Sequence, residues 1–444
     1  MRFIIIGGEA AGMSAAAKLR RMVAEAEIVM YEKSEVVSFG ACGLPYYVGD
    51  YFDDPDYMVS RTAQQMSDSG IQMRTGHQVL QLDSRKKTLQ VQELGSGKIF
   101  EDHYDKVMIA TGATAMLPPI GNIALENVFT LKSLADGQAL KALVRQASVR
   151  NVVIIGAGYI GLELAEAMHK QGKEVRMIQL DDRVLPDSFD PEITDLMEAE
   201  LRSQGVQLHV AETVERLQGE TAVSAVVTNK GAYPADLVVV CTGVKPQTRF
   251  LSENDLRMLP NGAIWINDLG ETSLPDVYAA GDCASVHHLV SHKDVYIPLA
   301  TTANRIGRIV GENMAGGKQQ FPGTLGTAAV KVMELAAGRT GITEAEAKKM
   351  GISCRTVFVK DKDHSNYLPN QEEIFLKLIY ECESKRILGA QIAGREASIL
   401  RINALAMAVA GGVTTKELGM MDFFYAPPFS RPWDIMNIAG NAAK

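Results

Sequence analysis

Val152-Val153-Ile154-Ile155-Gly156-Ala157-Gly158-Tyr159-Ile160-Gly161 is an apolar run closed by glycines in the order G-x-G-x-x-G. The run predicts a buried strand. The first glycine suits a tight turn, the second lets backbone approach a pyrophosphate, and the third lets the following helix pack on the strand. A helix over residues 162–171 and a strand near 175–178 complete a βαβ unit for a dinucleotide. At the end of that strand Gln179 stands where an acid usually meets an adenosine ribose, with Asp181 and Asp182 just after it. These carboxylates disfavour a 2′-phosphate, so NADH is preferred, while Arg176 and Arg183 nearby keep NADPH as the alternative.

The same pattern opens the chain. Residues 3–6 are apolar and lead into Gly7-Gly8-Glu9-Ala10-Ala11-Gly12, an Ala-rich helix is expected over 13–21, and a strand over 27–31 ends at Glu32. Glu32 follows Gly12 by 20 residues, the spacing at which an acid reaches ribose hydroxyls. Glu9 takes the place of the middle glycine and must turn its side chain away from a pyrophosphate. Two further apolar strands end in Thr-Gly, at Ala110-Thr111-Gly112 and at Cys241-Thr242-Gly243. A third, Val277-Tyr278-Ala279-Ala280-Gly281-Asp282, ends in an acid at a glycine turn.

The 444 residues suffice for two or three domains, and 46% hydrophobic with 22% charged residues is ordinary for a globular protein. A net charge of −8 argues against nucleic acid as a partner. Five cysteines without a CxxC pair exclude a disulfide scaffold and a zinc site, so no metal and a reducing, cytoplasmic setting are expected. The apolar start is too short for a signal peptide and no run approaches ~18 apolar residues, so no membrane association is expected. His287, His288 and His292 lack acidic or thiol companions and are taken as a loop.

In this order the elements resemble the pyridine nucleotide-disulfide oxidoreductases over essentially the whole chain. They look like the single-cysteine branch: coenzyme A-disulfide reductases, NADH-dependent persulfide reductases, NADH oxidases and NADH peroxidases. The resemblance implies an α/β fold with two Rossmann-like units and a C-terminal α+β dimerisation domain. It divides the chain into an FAD domain (1–112 and 244–320), an NAD(P)H domain (113–243) and a dimerisation domain (321–444). For FAD it implies Gly7, Gly8, Ala10, Ala11, Gly12, Glu32, Lys33, Val79, Ala110, Thr111, Gly112, Gly281, Asp282, Pro298, Leu299, Ala300 and Thr301, with Asp282 on the ribityl chain. For NAD(P)H it implies Gly156, Gly158, Tyr159, Ile160, Gly161, Glu163, Gln179, Asp181 and Gly243. Tyr159 matches a tyrosine that covers the flavin until nicotinamide displaces it, and Glu163 an acid beside the nicotinamide.

Cys42 lies in Ser38-Phe39-Gly40-Ala41-Cys42-Gly43-Leu44-Pro45-Tyr46-Tyr47. Its glycines and proline suit a turn into a helix, where the dipole would lower the thiol pKa from its free ~8.5. Tyr47 stands five residues on, where a dithiol reductase carries its second cysteine, so Cys42 must pair with an incoming sulfur or cycle as a sulfenic acid. Cys241, Cys283, Cys354 and Cys382 are taken as buried small hydrophobes. The resemblance implies a cycle in which NADH reduces FAD and the electron pair passes to a mixed disulfide of Cys42.

Ser14, Lys18 and Arg21 share one helix face by spacing. With Ser38 they match positions that hold coenzyme A in the family; Arg20 is an adjacent candidate, and Asn304 and Arg431 complete the implied substrate set. Ala41 replaces a family asparagine, and Trp433 a lysine whose charge Arg431 could supply. Tyr367 and Tyr425 match tyrosines that face the sulfur across a C2 homodimer, where a phenol can donate a hydrogen bond or a proton to the leaving thiolate. No sulfurtransferase-like segment follows Lys444, so sulfur delivery by a fused domain is not expected. The lead expectation is a reductase of coenzyme A disulfide, coenzyme A persulfide or polysulfide. The alternative is an NADH oxidase or peroxidase using a Cys42 sulfenic acid, and a non-enzymatic flavin-bearing redox sensor or electron-transfer partner stands third.

Overall fold

The computed structural model describes residues 1–444. Strand β1 (Arg2–Ile6), helix α1 (Ala10–Met22) and strand β2 (Glu27–Tyr31) form the first βαβ unit, followed by the short helix α2 (Leu44–Val48) and strands β3 (Gln72–Arg74) and β4 (Lys106–Ile109). The second unit contains helix α3 (Leu134–Val144), strand β5 (Asn151–Ile155), helix α4 (Tyr159–Lys170) and strands β6 (Glu174–Ile178) and β7 (Leu237–Val240). Strand β8 (Val277–Ala279) and helix α5 (Ala300–Met314) come next. The C-terminal part is built on β9 (Ala328–Val332), β10 (Leu335–Gly341), β11 (Cys354–Lys362), β12 (Glu373–Glu381) and β13 (Ile387–Gly394).

Both parallel sheets follow from runs of branched residues buried on two faces. The first has the order β8-β4-β1-β2-β3; in the second, β6-β5-β7 is flanked by two short strands. The register repeats, with Arg2 opposite Glu27 in one unit and Asn151 opposite Glu174 in the other. Each unit carries a three-stranded antiparallel sheet before its Thr-Gly strand, over 77–103 and 214–234. Two antiparallel connectors join the units, with Val244 opposite Ala115 and Pro246 opposite Ala113. The C-terminal sheet, β9-β10-β13-β12-β11, is antiparallel throughout. No helix is long and apolar enough to cross a membrane.

The helices α1 and α4 start three residues earlier than the sequence pattern predicts, because Gly12 and Gly161 lie inside the first turn. One segment does not stay with its neighbours in sequence. Phe39, Leu44, Tyr47, Val48 and Met58 bury themselves with Leu140, Val144, Ala165 and Met168 of the second unit. Lys141 secures this arrangement: it is 3% exposed and its ammonium donates to the carbonyls of Tyr47 and Phe52, both at 2.8 Å. It pairs with Asp50 at 2.9 Å and lies 4.1 Å over the Tyr47 ring, so a buried cation closes the C-terminal end of α2.

Candidate active site

In the first unit Gly7 adopts φ +108°, and a Cβ there would stand 2.2 Å from the Ala110 carbonyl oxygen. Gly12 would meet the Gly7 carbonyl at 1.9 Å. Glu32 is buried, and its carboxylate accepts from the N–H groups of Gly8 and Ser34, each at 2.8 Å. No side chain caps α1, so its first N–H groups point free at the loop. The helices starting after Thr62, Ser133, Thr343, Thr414 and Asp434 all have capping boxes. Uncapped donors, a glycine that admits no side chain and a fixed acid fit the pyrophosphate and ribose of a dinucleotide.

Around that loop, Ala10 and Ala11 open α1, and Ala110 is buried at the end of β4. The Thr111 hydroxyl donates to the Gln247 carbonyl at 2.8 Å, and Gly112 has φ +66°. Lys33 Nζ is 2.8 Å from the Gln247 side-chain amide, and Val79 is buried opposite Val91. Gly281 has φ +82°, and a Cβ there would be 3.1 Å from that of Ala11 and 3.8 Å from that of Ala303. The Asp282 turn therefore sits between α1 and α5. Leu299 leaves α5 uncapped, with Pro298, Ala300 and Thr301 exposed at its start. Glu9 is half-buried, and burial raises its pKa, with Lys132 opposing and Glu32 and Asp282 reinforcing.

The second unit repeats the geometry. Gly156 has φ +102°, with Cys241 O at 2.5 Å from a Cβ, and Gly161 would meet Gly156 O at 2.2 Å. Gly158 starts α4 without a side-chain cap, while Tyr159 and Ile160 form its first residues. Gln179 is buried; its carbonyl accepts from Ala157 N and its amide donates to Asp181, both at 2.8 Å. Arg183 is taken up by Asp182 at 3.0 Å, and Arg176 by Gln207 and by the Tyr233 ring at 4.5 Å. Gly243 has φ +103° and begins the return connector.

Cys42 is exposed, in a short 3-10 turn that leads directly into α2. The expected lowering of its pKa does not occur. Packed protein around the sulfur disfavours the thiolate, Glu163 and Asp282 push the pKa further up, and Lys132 opposes them. A single 3-10 turn of three residues leading into a helix of five brings too little dipole to compensate. Burial pushes Glu163 up to about 7, and the Tyr46 hydroxyl lies 3.5 Å from its carboxylate. Tyr46 is itself pushed up to about 12 by burial, then by Glu163, Glu166 and Cys42. Lys132 reaches Asp282 at 3.5 Å. Lys132 was not legible as a site residue, since it lies in no motif, and Tyr46, although inside the Cys42 segment, gave no sign of its partner Glu163 more than a hundred residues away. Burial pushes the Cys241 thiol up to about 12 and the Cys283 thiol up to about 11, which disfavours the thiolate at both.

The proposed cationic entrance is partly neutralised within the chain. Lys18 pairs with Glu312 at 2.9 Å, and Arg431 with Asp361. Arg20 ties α1 to its surroundings through the Ala24 and Gly70 carbonyls, so it is structural. Arg21 is exposed, Ser14 donates to Asn304 at 2.8 Å, and Ser38 sits in left-handed backbone with its N–H on the Gly8 carbonyl at 2.8 Å. Tyr367 and Tyr425 do come together, their hydroxyls 2.9 Å apart. Hydrogen bonds from Ser365 and then Tyr367 lower the Tyr425 pKa. Phe424, Phe429 and Trp433 are exposed beside them in sequence. His288 is buried and its ring accepts from Val290 and Ser291, while His287 meets Asp294 at 3.4 Å, so the histidines belong to a hairpin.

A family model described as pyridine nucleotide-disulphide oxidoreductase matches residues 1–307, and the model of its dimerisation domain matches residues 327–435. The chain is 38% identical over 444 residues to the NAD(P)H coenzyme A polysulfide/persulfide reductase of Pyrococcus horikoshii, covering 100% of this chain and 98% of that one. The NAD-dependent persulfide reductase from A. fulgidus is similar in structure, with a TM-score of 0.95 and 36% identity over 99% of this chain and 82% of that one. The water-forming NADH oxidase from Lactobacillus brevis, bound to NADH, reaches a TM-score of 0.96 at 33% identity, covering 100% and 98% respectively.

Proposed function

The chain belongs to the pyridine nucleotide-disulphide oxidoreductases, and within that family we propose that it reduces coenzyme A disulfide, coenzyme A persulfide or a related polysulfide through Cys42. The family implies FAD and NAD(P)H. When bound, these supply two-electron transfer to sulfur. The first unit, with residues 1–112 and 244–320, takes FAD. The second, 113–243, takes NADH in preference to NADPH, since Arg176 and Arg183 are already engaged. Residues 321–444 form a C2 homodimer that covers the exposed aromatic face around Phe424 and Trp433.

The observation that carries this reading is an exposed, solitary thiol with a buried Tyr47 in place of a second cysteine. The Cys42 thiolate attacks one sulfur of the substrate, the S–S bond breaks, and a thiolate leaves. Two-electron reduction of the mixed disulfide returns the Cys42 thiolate and frees the second thiol. Tyr425, its pKa lowered within the Ser365–Tyr367 cluster, is the proton donor to the departing sulfur, reached from the partner subunit. Cys42→Ser should retain flavin and its reduction by NADH while turnover of coenzyme A disulfide falls to background; unchanged turnover would sink the thiol mechanism.

The second reading, an NADH oxidase cycling a Cys42 sulfenic acid, is favoured by the similarity to the Lactobacillus brevis enzyme and by the internal pairing of Lys18 and Arg431. Mass spectrometry of Cys42 in the isolated enzyme separates the two: a coenzyme A adduct supports the first reading, a single added oxygen the second.

A further inference from the structure

Helices α1 and α5 run side by side with their N-termini at the same end. A Cβ at Gly307 would stand 2.3 Å from the Ala11 carbonyl oxygen, and one at Gly311 2.4 Å from that of Ala15. Such close approach brings the solvent-facing edges of the two helices into one rim. Ser14 bonds Asn304 at 2.8 Å, and one turn further along α1 Lys18 pairs with Glu312 at 2.9 Å. Arg308 lies four residues from each of those α5 partners, so it stands between them on the same edge, and it is exposed. Arg21 extends the rim at the far end of α1 and is also exposed. Of the three cations along the rim, only Lys18 is held by a carboxylate.

We propose that Arg308 receives a phosphate of the nucleotide tail of the thiol substrate, and that Glu312 is an internal anion which the tail displaces from Lys18. This rests on the reading of the substrate as a coenzyme A thiol. The physical basis is a contrast in charge. With Glu312 in place the rim keeps two free guanidiniums, which suit planar, multidentate contact with phosphate oxygens. A dianionic phosphate outcompetes a single carboxylate for Lys18, whereas a small polysulfide without a tail leaves the Lys18–Glu312 pair intact. The rim thus grades substrates by their tails while the sulfur chemistry stays the same.

The test uses the flavin-loaded dimer, with adenosine 3′,5′-bisphosphate as a calorimetric probe of the tail and coenzyme A disulfide as substrate. Arg308→Ala should weaken probe binding and raise KM roughly tenfold, with kcat and polysulfide turnover unchanged, and Arg308→Lys should restore part of the loss. Glu312→Gln should tighten probe binding about threefold, and both effects should shrink with added salt. Arg85→Ala, which removes an exposed charge from another hairpin, serves as the control. Arg308→Ala behaving like Arg85→Ala, or Glu312→Gln weakening the probe, overturns the proposal. If those results occur while Lys18→Ala and Arg21→Ala still abolish probe binding, only the roles of Arg308 and Glu312 fall. If wild type neither binds the probe nor reduces coenzyme A disulfide, the substrate reading falls and the proposal with it.

Discussion

The two dinucleotide units repeat the same loop hydrogen bonds and differ in the side chain that accepts one of them. In both, the first glycine donates its N–H to the last residue of the second strand at 2.8 Å, Gly7 to Tyr31 and Gly156 to Ile178. In both, the residue after that glycine donates to a side-chain oxygen at 2.8 Å, on Glu32 in one case and Gln179 in the other. The position therefore has two separable tasks. Any acceptor there satisfies the loop N–H, so glutamine serves the fold as well as glutamate does. Negative charge is the second task, and in the second unit it lies just beyond the strand on Asp181, which accepts from the Gln179 amide.

The strongest way to break this comparison is to fill the shared turn. Gly7→Ala and Gly156→Ala each force a Cβ into a carbonyl at positive φ and should cost about 3 kcal/mol or more locally. Gly7→Ala should lose the flavin spectrum, whereas Gly156→Ala should keep it and lose reduction by NADH. Flavin loss in both would show that the units do not fold independently. Next in size, Glu32→Gln keeps one acceptor but removes a charged one, and should weaken flavin retention by about 2 kcal/mol in a dilution assay. Gln179→Glu adds a carboxylate beside Asp181 and should lower the NADPH/NADH ratio of kcat/KM by roughly tenfold. A rise in that ratio would overturn the NADH preference.

The smallest test concerns one helical position used differently. Ser14 and Glu163 each lie two residues after the third glycine, yet Ser14 faces α5 while Glu163 acts on Cys42. As pH rises through about 7, Glu163 ionises, and its charge favours the protonated thiol. Glu163→Gln should therefore move the midpoint of Cys42 alkylation to lower pH. An iodoacetamide rate profile from acid to alkaline pH reads this directly, and an unmoved midpoint would remove Glu163 from the sulfur's surroundings.

The glycine loops, the acid at Glu32, the glutamine at Gln179 and the isolated thiol were legible because each depends on neighbours within one βαβ unit or one turn. What was not legible depends on pairs far apart in sequence. The helix face of Ser14, Lys18 and Arg21 is correct as a face, but periodicity cannot show that α5 brings Glu312 against Lys18. The same holds for Arg431 and Asp361. Lys132 has no motif; its place comes from the contact between the stretch before α3 and the Asp282 turn. The sign of the Cys42 shift was misjudged because a local dipole was visible, whereas the packing that desolvates the sulfur and two carboxylates distant in sequence were not.

The Lys141 clamp has a consequence for assembly. The carbonyls at the C-terminal end of helix α2 accept from two side chains of the second unit, Tyr47 from Lys141 and Val48 from Gln171, and its apolar side packs against α3 and α4. The first βαβ unit can close while the chain is still being made, but the turn that carries Cys42 must wait for the second. The thiol thus acquires its fixed address late, when the second unit is already present. A fragment ending after residue 112 should fold around β1 and β2 and leave Cys42 on an unstructured loop.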